Sequence, residues 1–165
     1  MICGVAPLMT IEPSHPILIY DGVCGLCNRA VQFVLKRDRL DVFLFAALQS
    51  EFAASILREH GLAPDALDTM YLVLNQGESS EQVLSRSDAA LAVAQHLSGI
   101  WRVLGRVGRV FPRFFRDFVY NRIAGNRYRI FGKYDTCPLP TPEQSAKFLG
   151  HSRIHAQSSG CHGKI

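Results

Sequence analysis

Ile17-Leu18-Ile19-Tyr20-Asp21-Gly22-Val23-Cys24-Gly25-Leu26-Cys27 decides the fold of this chain. Four apolar residues read as a short buried strand, and Asp21-Gly22 ends it with a turn. Two thiols three positions apart follow, where a strand hands over to a helix. Cys27, Val31, Val34 and Leu35 recur at helical spacing, with Arg29, Lys36 and Arg37 elsewhere, so a helix is predicted over Gly25–Arg37. A disulfide across such a loop is a poor staple. Chain entropy assigns it roughly 2 kcal/mol for about four residues, against nearly 5 for about a hundred. The spacing therefore suits reversible exchange or metal binding better than structural locking.

Working outward, strands are expected over Val42–Ala46, Met70–Leu74 and Glu81–Ser85, the last two joined as a hairpin by Asn75-Gln76-Gly77-Glu78. Helices are expected over Gln49–His60, closed by Gly61, and from Ala89 to Leu97, capped by Ser87-Asp88. The order is β-α-β-α-β-β-α. Strand–helix alternation argues for parallel pairs with crossover helices, and the hairpin adds an antiparallel edge. This α/β order is that of a thioredoxin-like core, whose dithiol belongs after the first strand. The expected organisation is a flexible leader (1–15), the core (16–99), a basic helical extension packed on it (100–148) and a disordered tail (149–165).

With 165 residues, 48% of them hydrophobic, the chain is long enough to bury a core as a single domain. No apolar run is long enough to span a membrane. The leader lacks the basic start and apolar stretch of a secretory signal, and Met9 is an alternative start. A cytoplasmic location is expected, peripheral to the membrane if the basic extension docks there. Five scattered cysteines, an odd number, do not form a disulfide framework. The net charge of +4 hides an asymmetry: Trp101 to Lys133 holds nine basic residues and one acid, Asp117, so this segment carries +8 and the rest −4.

The attacking species in disulfide exchange is the thiolate. A helix N-terminus, with free N–H groups and a positive dipole end, favours it. Lowering a thiol from about 8.5 to about 7 takes roughly 2 kcal/mol of preferential thiolate stabilisation. Cys24 at the helix mouth is therefore the expected nucleophile. Cys27, one turn in and more shielded, is the expected resolving thiol. Asp21 has two readings: a buried carboxylate that takes the Cys27 proton, or a turn residue that bonds backbone and caps the helix. No cofactor beyond the cysteine pair and no metal is expected. The competing reading is a zinc or redox-sensing module. It needs two more ligands from Cys137, Cys161, His151, His155 and His162, none of which forms a second close pair of the usual kind. A phosphatase reading of Leu18-Ile19-Tyr20-Asp21 lacks its second acid, since Val23 stands there.

Tyr20-Asp21-Gly22-Val23-Cys24-Gly25-Leu26-Cys27-Asn28 resembles the DCC family of thiol–disulfide oxidoreductases, named for that Asp-Cys-Cys set. Asn126-Arg127-Tyr128-Arg129-Ile130-Phe131-Gly132-Lys133, with Asp135 and Cys137-Pro138, resembles its C-terminal signature. The resemblance runs from about Ile17 to Pro140. It implies a thioredoxin-like fold and protein-disulfide reductase or oxidase activity. The implied partners are a disulfide-containing protein or small-molecule substrate and a thiol reductant. Two departures from ordinary thioredoxins stand out. Leu26 replaces the proline often found between the cysteines, and Asp68-Thr69-Met70 replaces the cis-proline before the third strand. Thr69 is then expected opposite Cys24.

The second motif returns the chain toward the dithiol. Arg127 and Lys133 are then expected to raise the local potential, and Cys137 to act as an inert thiol or a third redox thiol. In the extension, Arg102, Arg106, Arg109, Arg113 and Arg116 recur every three or four residues beside an apolar side, with Pro112 as a break. The bland reading is an amphipathic helix packed on the core. The sharper one is docking of Arg102–Arg116 to an anionic membrane surface or an acidic partner, or, failing a live dithiol, a non-catalytic adaptor. No nucleic-acid motif is present.

Overall fold

The computed structural model describes residues 15–63, 69–134, 141 and 144–150. Strand β1 (Ile17–Tyr20) is buried along its whole length. Its side chains alternate between two apolar layers. Leu18 and Tyr20 pack with Val31 and Val34 of helix α1 (Gly25–Arg37) and with Ala89, Ala92 and Val93 of helix α3 (Arg86–His96). Ile17 and Ile19 pack with Ala53, Ile56 and Leu57 of helix α2 (Glu51–Glu59). Covering on both faces explains why β1 is an unbroken apolar run.

Among the described residues the sheet has five strands in the order β4-β3-β1-β2-β5. Strand β2 (Leu44–Ala47) pairs parallel to β1, with Ile17 opposite Leu44. Strand β3 (Tyr71–Leu74) enters antiparallel to β1, with Ile17 opposite Val73, and forms a hairpin with β4 (Gln82–Ser85). The chain thus has a thioredoxin-like α/β fold. Parallel pairing holds for β1-α1-β2 but not for the step through α2, because element order alone carries no strand direction. Strand β5 (Phe148–Leu149) adds a parallel edge to β2, and Phe148 stacks on Phe45 at 5.3 Å.

Helix α3 starts before the expected Ala89. Ser87 and Asp88 are not its caps, because both face helix α5 (Arg113–Ala124): the Ser87 hydroxyl donates to Asp117, and Asp88 accepts from Arg116 at 2.8 Å. Helix α4 (Ile100–Gly108) lies on α3 through Gly105, where a Cβ would meet Leu91 O at 2.9 Å. Pro112 breaks the extension at the start of α5, and helix α6 (Arg127–Phe131) follows. No helix among the described residues is long and apolar enough to cross a membrane. Cys3, Cys137, Cys161, His151, His155 and His162 lie outside the described residues.

Candidate active site

After Tyr20 the chain turns tightly, with Cys24 N donating to Asp21 O at 3.2 Å. Asn28 Nδ2 holds the turn from below by donating to Gly22 O at 2.7 Å and Cys24 O at 3.0 Å. Cys24 is the N-cap of α1, and its Sγ accepts the Cys27 N–H at 3.2 Å. Sulfur thus occupies the place of the usual hydroxyl or carboxylate cap. Both cysteines are free thiols and lie close together.

The second motif closes over the first. After α6, Gly132–Tyr134 runs antiparallel to Val23–Gly25, with Lys133 bridged to Cys24. Gly25 N donates to Gly132 O at 3.1 Å, and Tyr134 N to Val23 O at 2.8 Å. Gly25 permits this approach: a Cβ there would lie 2.2 Å from Phe131 O. As a result Cys24 is 0% exposed, while Cys27 keeps a partly open surface. This reverses the expected shielding. The cause is the return segment, which covers the helix mouth and leaves the side of the first turn free.

Cys27 lines a cavity of about 90 Å3 with Leu26, Thr69, Met70, Tyr120, Ile123, Ala124 and Arg127. Thr69, expected opposite Cys24, lines this cavity beside Cys27. The Tyr120 hydroxyl accepts the Met70 N–H at 3.0 Å, and burial raises the Tyr120 pKa. A larger cleft of about 450 Å3 follows the outer side of α1 and includes neither thiol.

Asp21 is 1% exposed. Its Oδ1 accepts from Val23 N at 3.1 Å and Gln49 Nε2 at 2.8 Å. Its Oδ2 accepts the Tyr128 O–H and lies 3.5 Å from Arg127 Nη2. It therefore does bond the turn backbone, but it is also buried beside the thiols, and the capping place belongs to Cys24. Arg127 is buried with its guanidinium 4.3 Å from the Tyr128 ring centroid. Lys133 stays exposed, with Nζ 5.6 Å from the same ring. Burial pushes the Tyr128 hydroxyl up to about 12, helped by its bond to Asp21 and opposed by Arg127. Burial also pushes the Cys27 thiol well above its ordinary value. The hydrogen bond and charge of Cys24 and the charge of Asp21 act the same way, and Arg127 opposes them.

The two motifs thus bring Asp21, Cys24, Cys27, Arg127 and Lys133 together. Gln49, Asn28, Tyr120 and Tyr128 complete the surroundings without having been singled out. Asn28 and Tyr128 had a signal, their places within the two motifs, whereas Gln49 and Tyr120 are tied in by contacts 28 and 50 positions long that leave no local pattern. No cluster of three or more His, Cys, Asp or Glu side chains able to hold a metal occurs among the described residues.

The profile of the DCC1-like thiol-disulfide oxidoreductase family matches residues 18–133. The chain belongs to that family. The matched span of this DCC1-like chain runs from β1 to Lys133, the residue bridged to Cys24. Among curated proteins, the uncharacterized protein YuxK of Bacillus subtilis (strain 168) is 44% identical over 142 residues, covering 86% of this chain and 99% of YuxK. A chloroplastic DCC family protein of Arabidopsis thaliana is 38% identical over 128 residues, covering 78% of this chain and 72% of its own length. No solved structure matches. Membership in the DCC1-like family supports a thiol–disulfide redox role.

Proposed function

We propose that the chain is a protein-disulfide reductase working through the Cys24/Cys27 pair. The observation that carries the reading is the asymmetry of the two sulfurs. Cys24 Sγ sits at the positive end of α1 and receives the Cys27 N–H, while burial and neighbouring negative charge hold Cys27 protonated. Cys24 is then the nucleophile. Its thiolate attacks one sulfur of a substrate disulfide, forming a mixed disulfide and releasing the first substrate thiolate, which takes up a proton. Cys27 then gives up its proton, with Asp21 as acceptor, and attacks Cys24 sulfur. The second substrate thiolate leaves, and Cys24–Cys27 becomes the disulfide. A thiol reductant returns two electrons and two protons.

Burial of Cys24 and partial exposure of Cys27 pull in opposite directions. Attack needs thiolate, and each pKa unit by which a thiol is raised above ambient pH removes about tenfold of it. Exposing Cys24 needs only the Gly132–Tyr134 cover to lift, and its two backbone hydrogen bonds are worth about 1 kcal/mol each. Cys24 therefore remains the better attacker, reached by local opening. The test is insulin disulfide reduction with a dithiol donor. Cys24→Ser should lose turnover, and Cys27→Ser should accumulate a mixed disulfide on Cys24. Wild-type turnover in both variants would overturn the assignment.

A further inference from the structure

Large apolar side chains left exposed concentrate in one region. Apart from Leu40 and Tyr134, all lie between Ile100 and Ile130. On α4, at about 100° per residue, Ile100, Val103, Leu104 and Val107 share a solvent-facing stripe. Gly105 faces α3, and Arg102 and Arg106 take the other flank. The helix packs on the core through Gly105, Gly108 and Trp101, which leaves this apolar side uncovered. Val110, Phe114 and Phe118 continue the surface at 83%, 77% and 68% exposure. An apolar groove of about 310 Å3, lined by Leu91, Phe111, Phe115, Val119 and Ile123 among others, adjoins it.

The charges of this region divide into two sets. Arg113 and Arg116 are held by Asp88 at 3.3 and 2.8 Å. Arg102, Arg106, Arg109, Arg122 and Arg129 are exposed and make no ion pair among the described residues. We propose that α4 and α5 form a docking surface for an anionic lipid bilayer, with the apolar side chains in the headgroup–acyl boundary and the free arginines on lipid phosphates. Aromatic and aliphatic side chains interleaved with unpaired arginines match that boundary. Neither helix is long enough to cross the bilayer, so both lie on it. A second copy of the chain fits less well: an isologous dimer through this face would set the free arginines against their own counterparts.

The experiment is co-sedimentation of the full chain with vesicles of phosphatidylcholine alone or mixed with phosphatidylglycerol. Binding is expected only to the mixed vesicles and should weaken with added salt. Arg106→Gln with Arg109→Gln should weaken it about 30-fold, from roughly a fivefold step for each basic residue. Phe114→Ser with Phe118→Ser should weaken it at least as much, while both variants keep wild-type thermal unfolding. Failure of the wild type to bind mixed vesicles, or binding that both variants retain in full, would overturn the proposal. So would a dimer in sedimentation equilibrium that excludes vesicles and is disrupted by the phenylalanine changes, which would assign the face to a second copy.

Discussion

Replacing Gly25 by alanine probes the joint between the two motifs. The new Cβ would lie 2.2 Å from Phe131 O and 3.1 Å from both Gly132 O and the Phe131 carbonyl carbon. These are backbone atoms, so no side chain can swing aside. Ordinary contact needs about 3.5 Å, and the return segment must retreat by more than about 1 Å. Overpacking of this kind costs about 1–3 kcal/mol. The hydrogen bond from Gly25 N to Gly132 O, carried by the displaced segment, adds about 1 kcal/mol when it breaks. Alanine's better helix propensity returns about 1 kcal/mol. The net loss is about 2 kcal/mol, which lowers Tm by roughly 4–8 °C for a chain of this size. It also raises the population in which Cys24 is uncovered by roughly 30-fold. Two assays read this: thermal unfolding of the reduced protein, and iodoacetamide labelling of Cys24 followed by mass spectrometry. A variant that melts with the wild type and labels Cys24 at the wild-type rate would refute the reasoning.

Two further predictions concern the buried charges. Tyr128→Phe removes the hydroxyl that donates to the buried Asp21 carboxylate. Hydrogen bonds to charged groups are worth about 1.5–3 kcal/mol, so urea unfolding should show a loss of about 2 kcal/mol, whereas Tyr134→Phe, at an exposed ring, should show none. The pH dependence follows from Cys27. Its folded pKa lies above the ordinary 9.0, so above that pH the unfolded chain releases a proton that the fold retains. The reduced protein should therefore hold this stability below pH 9.0 and lose it as pH rises. The slope should reach at most about 1.4 kcal/mol per pH unit. Cys27→Ala should remove that slope in urea unfolding; an unchanged slope would show that Cys27 is not its source. Tyr128 contributes the same sign only above its ordinary 10.0, so measurements below that value isolate Cys27.

Local signals made β1 and α1 legible. The apolar run, the Asp-Gly turn and the helical spacing all agree there, and α1 spans the predicted Gly25–Arg37. The direction of β3 was not legible, because α2 can deliver the next strand either way. Nor was β5: two residues give no alternation, and Phe148 reads as the end of a helical extension. In the site, two separated motifs foretold that Arg127 and Lys133 approach the cysteines. The contact between Arg127 and Asp21 spans 106 positions. Gln49 and Tyr120 join through similarly non-local bonds, 28 and 50 positions long. The relative exposure of the two thiols is illegible for the same reason, since it is decided by a segment remote in sequence and not by the helix that carries them.

The bridge between Cys24 and Lys133 has a consequence for how the protein is made. Both thiols are translated well before the stretch that shelters Cys24, because Lys133 and its neighbours follow them far along the chain. Until it arrives, the nascent chain carries a bare cysteine pair. Oxidation or capture by a passing electrophile is therefore a hazard of the growing polypeptide, one that the folded protein escapes at Cys24 by shutting its own lid.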